Sequence, residues 1–344
     1  MSIASWIDRN ILSLGREMRL SYLPPLMVYV AAGVSGLTGI VGTFFVKEYL
    51  GLSAEFLAAL GFWAGIPWAL KMPLGHLVDL LWRYKSVLVY LGASLIAASL
   101  CIMYGLIAHA EAMRAVMPVS NWYVLAVLLA PVGYVLQDVV ADAMTVEAVP
   151  RIDAHGQPVA DAERKLMNTT MQTLGRVAII GGSLLVAVVN VVMFSDVQSM
   201  PQEVKAATYA RIYAMALVIP LVSVFGVVFQ GVLVRREQQR LVRLGMSADA
   251  IDLVTPGDER TQANWWILGG SLVFVAFSLG VGFSRTAYAA EIVFAGSMAI
   301  VIFLIARITR VLDPQARRTL VGTAVIIFVF RAVPSPGEGM SWWM

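Results

Sequence analysis

Apolar residues in this chain run on for roughly 20 positions at a time between short polar breaks, without the strict alternation of a half-buried strand. Read as spans, the runs cover residues 22–46, 55–79, 86–107, 121–145, 168–194, 208–234, 264–284, 286–308 and 319–343. The stretch from Val87 to Ile107 carries no charge at all. Coiled as a helix, such a run crosses the roughly 30 Å of a bilayer core. A membrane barrel would need alternating runs about half as long. The pattern therefore predicts an all-α integral membrane protein of nine spans. Residues 1–20 differ: Ile3, Ile7, Ile11, Leu14 and Met18 form an apolar stripe, with Asp8, Arg9, Arg16 and Arg19 off it. That is the pattern of an amphipathic helix lying in the membrane interface, and its charges argue against a signal peptide.

Composition sharpens this picture. Of 344 residues, 59% are hydrophobic and 14% charged, against roughly 45–50% and about 25% in an average soluble domain. A net charge of +3 and one cysteine, Cys101, leave no case for a nucleic-acid binder or a disulfide scaffold. The basic residues are distributed unevenly. Alternate loops holding Arg9, Arg83, Arg151, Arg235, Arg307 and their neighbours take 17 of the 25, while Lys47, Arg114, Lys205, Arg211 and Arg285 occupy the other set. Basic loops stay cytoplasmic, so the expected N-terminus is cytoplasmic, in the cell's inner (plasma) membrane. The segments 147–167 and 235–263 are the only sizeable extramembrane stretches. Neither is large enough for a soluble domain.

Charges inside spans cost about 2.5–3.5 kcal/mol each on insertion scales and call for a function and a partner. Lys71, Asp138 and Arg176 each fall about 12–14 Å from the expected cytoplasmic end of their helix, given 1.5 Å per residue. They share one layer, with Gln137 and Gln172 as hydrogen-bonding neighbours. Asp142 lies one turn from Asp138 on the same helix face. Two carboxylates this close do not both hold charge easily, which suits one of them to carry a proton. The alternative is that Asp138 merely neutralises Lys71 or Arg176 and holds the bundle together.

Glycine and proline punctuate the same spans. Gly33, Gly36, Gly39 and Gly42 recur every three residues and read as close helix packing. Pro67, Pro73 and Pro131 mark bends. In the last span, Leu320 to Phe330 runs into Arg331, Pro334, Ser335, Pro336, Gly337 and Glu338 before Trp342 and Trp343. A helix broken at membrane depth points to a transport site, unless the stretch already lies outside the bilayer.

The inner end of the second span, Gly75-His76-Leu77-Val78-Asp79-Leu80-Leu81-Trp82-Arg83-Tyr84-Lys85, resembles the G-x-L-x-D-x-x-G-R-x-K loop of the major facilitator superfamily. Trp82 stands where the second glycine is usual. Four further runs resemble the folate-biopterin transporter branch of that superfamily. They are Pro67 to Gly75, Asp138 to Ala143, Gln172 with Arg176, and Phe330 to Ser335. Met72, Arg331 and Val333 depart from its pattern. The resemblance implies a six-helix N-terminal bundle over residues 21–234, a cytoplasmic loop at 235–263, an inserted helix pair at 264–310 and the start of a second bundle at 311–344, with most of the C-terminal half lacking. Together with the charged layer described above, it points to a substrate or proton site of Lys71, Gln137, Asp138, Asp142, Gln172, Arg176 and Arg331. It also implies a gating loop of Gly75, Asp79, Arg83 and Lys85. The expected activity is transport of a folate- or pterin-class organic anion across the lipid bilayer, coupled to a cation. No cofactor, nucleic acid or metal is expected, since His76, His109 and His155 are scattered. Two other readings remain: a half-transporter dependent on a partner, and an intramembrane aspartyl protease, although no Gly-x-Gly-Asp run occurs.

Overall fold

The computed structural model describes residues 18–153, 157–195, 200–247, 251, 262–284 and 286–331. Within them the chain is all-helical, apart from one isolated bridge between Ile152 and Pro158. Eight helical segments among the described residues are long and apolar enough to cross a membrane, and the chain is an integral membrane protein. The ninth expected span is described only as a helix from Pro314 to Arg331. The expected break at Pro334 to Glu338, both terminal tryptophans and nearly all of the expected interfacial helix lie outside the described residues.

The helices are α1 (Leu23–Val34), α2 (Gly39–Phe45), α3 (Ala54–Ala69), α4 (Lys71–Leu80), α5 (Lys85–Ala108), α6 (Ala110–Val116), α7 (Val119–Ala148), α8 (Asp161–Phe194), α9 (Gln202–Ala216), α10 (Val218–Arg243), α11 (Trp265–Phe283), α12 (Ala289–Ile308) and α13 (Pro314–Arg331). They fall into two compact units. The first holds residues 1–71 and 81–259, the second residues 72–80 and 260–344. Helix α10 runs on to Arg243, so part of the stretch read as a loop after residue 234 is helical.

In the first unit, α5 packs along α7, and α1 lies against α7, α8 and α10. Glycine sets how closely these axes approach. A Cβ on Gly92 would lie 2.7 Å from the Gly133 carbonyl oxygen, and one on Gly133 would lie 2.6 Å from that of Gly92. Gly33 meets α8 in the same way, 2.2 Å from the Ile179 carbonyl oxygen. A Cβ on Gly39, by contrast, would meet nothing within 4 Å, so the three-residue glycine series is not one packing stripe. The apolar core joins Ile96, Leu100 and Met103 of α5 to Tyr209, Ile212 and Tyr213 of α9. A second cluster joins Tyr22, Leu26 and Tyr29 to Met167, Met171 and Leu174 of α8.

The outer surface is equally apolar. Helix α8 buries Met167, Met171, Leu174 and Gly182 while exposing Ile180, Leu184, Val188 and Val191 along a ridge of one-turn steps. Water would penalise such a ridge, whereas hydrocarbon accommodates it.

The second span is not continuous. Pro67 lies inside α3, and Pro73 sits in the first turn of α4, where a missing N–H is tolerated. Without the Pro73 N–H, the Ala69 carbonyl has no donor at the usual spacing. The chain breaks at Leu70 (φ −87°, ψ 5°), and Lys71 becomes the first residue of α4. In the second unit α11 and α12 pair. Asn264 caps α11 through its side-chain oxygen, and its backbone N–H donates to His76 Nε2 at 2.7 Å.

Candidate functional site

Three of the ionisable residues expected within spans meet at the Leu70 break. Lys71 Nζ lies 2.5 Å from Asp138 Oδ2 and 2.9 Å from Asp142 Oδ2. One helical turn on α7 separates the two acids, so a single ammonium reaches both. The Asp138 side chain is 12% exposed, against 44% for Asp142 and 40% for Lys71. The cluster is therefore rooted in the protein on the Asp138 side and open on the other. Tyr29 of α1 donates its hydroxyl to Asp142 Oδ1 at 2.5 Å. Its ring occupies space that only a glycine leaves, since a Cβ on Gly175 would lie 2.8 Å from Tyr29 Cε2. Helices α1, α7 and α8 together fix the Asp142 carboxylate.

The other expected site residues are distributed around this cluster. Gln172 Nε2 donates to Thr145 Oγ1 at 3.2 Å, and Thr145 Oγ1 donates to the Asp142 carbonyl at 2.6 Å. Arg176 is exposed, within electrostatic range of the Tyr29 hydroxyl, and forms no ion pair among the described residues. The expected pairing of Asp138 is thus made with Lys71 and not with Arg176. Gln137 is 2% exposed and turned elsewhere: Ser223 Oγ of α10 donates to its Oε1 at 3.0 Å, while its Nε2 has no partner among the described residues. One residue of helix is about 100° of rotation, which separates Gln137 from its neighbour Asp138. Arg331 closes α13, and its side chain lies outside the described part.

Of the expected gating residues, Gly75 and Asp79 lie on α4, with Asp79 exposed and within electrostatic range of His76. Arg83 is exposed in the turn Trp82–Tyr84 and makes no ion pair among the described residues. Lys85 is the one held. It pairs with Glu147 Oε1 at the end of α7, with side-chain exposures of 18% and 7%. Gln230 Nε2 of α10 donates to Glu147 Oε2 at 2.5 Å, and the Lys85 ammonium lies 4.0 Å from the Trp82 ring centroid. This latch joins α5, α7 and α10.

Sequence reasoning passed over Tyr29, Thr145, Ser223, Glu147 and Gln230. Each is a polar side chain in or beside an apolar run, which is the signal that could have flagged them. No group of three metal-ligating side chains occurs among the described residues.

Fold and site together define an all-helical membrane protein with an ion cluster at a discontinuous helix. Comparison with protein-family models, curated proteins and solved structures gives no match.

Proposed function

We propose that the chain is a secondary active transporter of the major facilitator type, of the folate-biopterin branch, which moves a small organic anion of folate or pterin class by alternating access with proton coupling. The observation that carries this reading is Lys71 at the Leu70 break, held between Asp138 and Asp142. Half-helix ends and ionised side chains at membrane depth are what transporters use to hold charged cargo. The cluster has two carboxylates for one ammonium, so an anionic substrate gains Lys71 only if a carboxylate gives it up. Protonating Asp138 or Asp142 does this, and proton and anion then move together. Arg176, unpaired beside the cluster, offers the substrate a second cation. The Lys85–Glu147–Gln230 latch is the contact that holds the basic-loop ends of α5, α7 and α10 closed. An aspartyl protease dyad fits less well, because its two carboxylates would share a proton, whereas here a lysine lies between them.

The test is pterin and folate uptake into membrane vesicles under an imposed proton gradient. Wild-type protein should accumulate substrate, Asp138→Asn should lose gradient-driven uptake while keeping exchange, and Lys71→Met should lose both. Gradient-driven uptake by Asp138→Asn at the wild-type rate would remove Asp138 from coupling.

A further inference from the structure

The α11–α12 hairpin carries a feature that the ion cluster does not use. Trp265, Trp266, Gly269 and Val273 on α11, with Ile300 and Phe303 on α12, line an open groove of about 560 Å³. The pair packs closely on one side, where a Cβ on Gly270 would lie 2.5 Å from Leu304 Cδ2. Gly269 lines the groove, and a Cβ added there would meet nothing within 4 Å. Trp265, Val273 and Phe303 stand more than half exposed. The groove is thus a strip of apolar wall at the lipid-exposed face of a membrane hairpin.

One end of it is charged. The Arg307 guanidinium lies over the Trp266 ring, 4.6 Å from the centroid. Arg310, Arg317 and Arg318 follow, all exposed. The only acid between residues 292 and 331 is Asp313, and its carboxylate is already engaged, accepting from the backbone N–H groups of Gln315 and Ala316 at 3.0 Å. From Arg307 to Arg318 the arginines thus outnumber the acids by four to one, and no ion pair to Arg307 occurs among the described residues. Tryptophan marks the interfacial depth, and arginine presents a fork that fits phosphate oxygens.

We propose that this groove holds an anionic phospholipid, one acyl chain lying along Gly269 and the phosphate bound by Arg307. Basic pockets between membrane helices on the cytoplasmic side suit anionic headgroups, and this end is the one whose basic residues assign it to the cytoplasm. The groove lining itself carries no acid, so a second copy that offered the same lining would leave Arg307 without a counter-charge from it.

The test is native mass spectrometry of delipidated protein given phosphatidylglycerol or phosphatidylcholine with identical chains. One phosphatidylglycerol should be retained in preference to phosphatidylcholine. Arg307→Gln should cut that retention about tenfold, the effect of losing a charge-assisted hydrogen bond, while Arg307→Lys, which keeps the charge but not the planar fork, should restore only part of it. Gly269→Leu starts from a Cβ position with nothing within 4 Å, puts a branched side chain into the groove and should abolish retention of both lipids, with the circular dichroism melt unchanged as the folding control. Equal retention of the two lipids, or phosphatidylglycerol retained in Gly269→Leu, would overturn the proposal. So would a dimer mass that Gly269→Leu removes, which would assign the groove to a second copy.

Discussion

Lys71 serves two acids in different surroundings, and that difference can be measured. Asp138 is nearly enclosed and lies at 2.5 Å, whereas Asp142 is 44% exposed, lies at 2.9 Å and has the Tyr29 hydroxyl as a second partner. Breaking an enclosed pair leaves a charge without solvation, while exposed pairs contribute a kcal/mol or less. With Lys71 itself 40% exposed, the coupling to Asp138 should come to about 2 kcal/mol. The coupling to Asp142 should stay under about 1 kcal/mol. Two double-mutant cycles in detergent-solubilised protein give these terms directly, from reversible unfolding of Lys71→Met, Asp138→Asn, Asp142→Asn and the two double variants. Lys71→Met with Asp138→Asn should be more stable than Lys71→Met alone, because it no longer buries an unpaired carboxylate. Equal couplings for the two acids, or none for either, would refute the view that enclosure decides the strength of this cluster.

Three further outcomes follow from the packing and the charges. Glu147→Gln leaves the Lys85 ammonium enclosed without a counter-charge and should cost about 2–4 kcal/mol, much of it recovered when Lys85→Met is added; a single variant as stable as its parent would contradict this. Gly33→Ala should destabilise strongly, since its Cβ would overlap the Ile179 carbonyl, whereas Gly39→Ala should be neutral or stabilising by about 0.5 kcal/mol, both read from thermal unfolding in detergent. With Cys101→Ser as background, a membrane-impermeant maleimide applied to intact cells should label Ala112→Cys at once and Ala160→Cys only after permeabilisation, and the reverse order would invert the orientation deduced from the basic loops.

The helices were legible because hydrocarbon imposes a single demand, about 20 apolar residues in a row. Lys71, Asp138 and Asp142 stood out for the same reason, since an ionised side chain in such a run is costly enough to need a partner. Rotation about the helix axis was not legible. Gln137 and Asp138 are adjacent in sequence, yet one points to Ser223 and the other to Lys71. Tyr29 and Glu147 gave weak signals, because a tyrosine within a span and a glutamate at its end are ordinary in composition. What makes them matter is the Gly175 cradle and the Gln230 contact, both long-range. The break at Leu70 was half visible. Pro67 and Pro73 announced a bend, but only together do they interrupt the helix, six residues apart on either side of the lysine.

That break decides which part of the cluster can move. From Val132 to Ala148, α7 contains no proline, and its Asp138, Asp142 and Glu147 ride on one rod. Asp138 and Glu147 are nine residues, or about 13–14 Å, apart along it. Bending the rod would break backbone hydrogen bonds in a medium that offers no replacement. Asp142 is pinned a second time by Tyr29, whose ring is seated on Gly175. Lys71 has neither constraint, because it begins a helix whose preceding turn already lacks a regular bond. Under the proposed exchange, then, the ammonium swings between acid and substrate while the carboxylates stay in place. A proline-free second span should lose this freedom: replacing Pro67 and Pro73 by alanine straightens the backbone through Leu70 and should slow uptake more than it changes substrate affinity. Unaltered uptake in that variant would mean that the ion cluster works without the break.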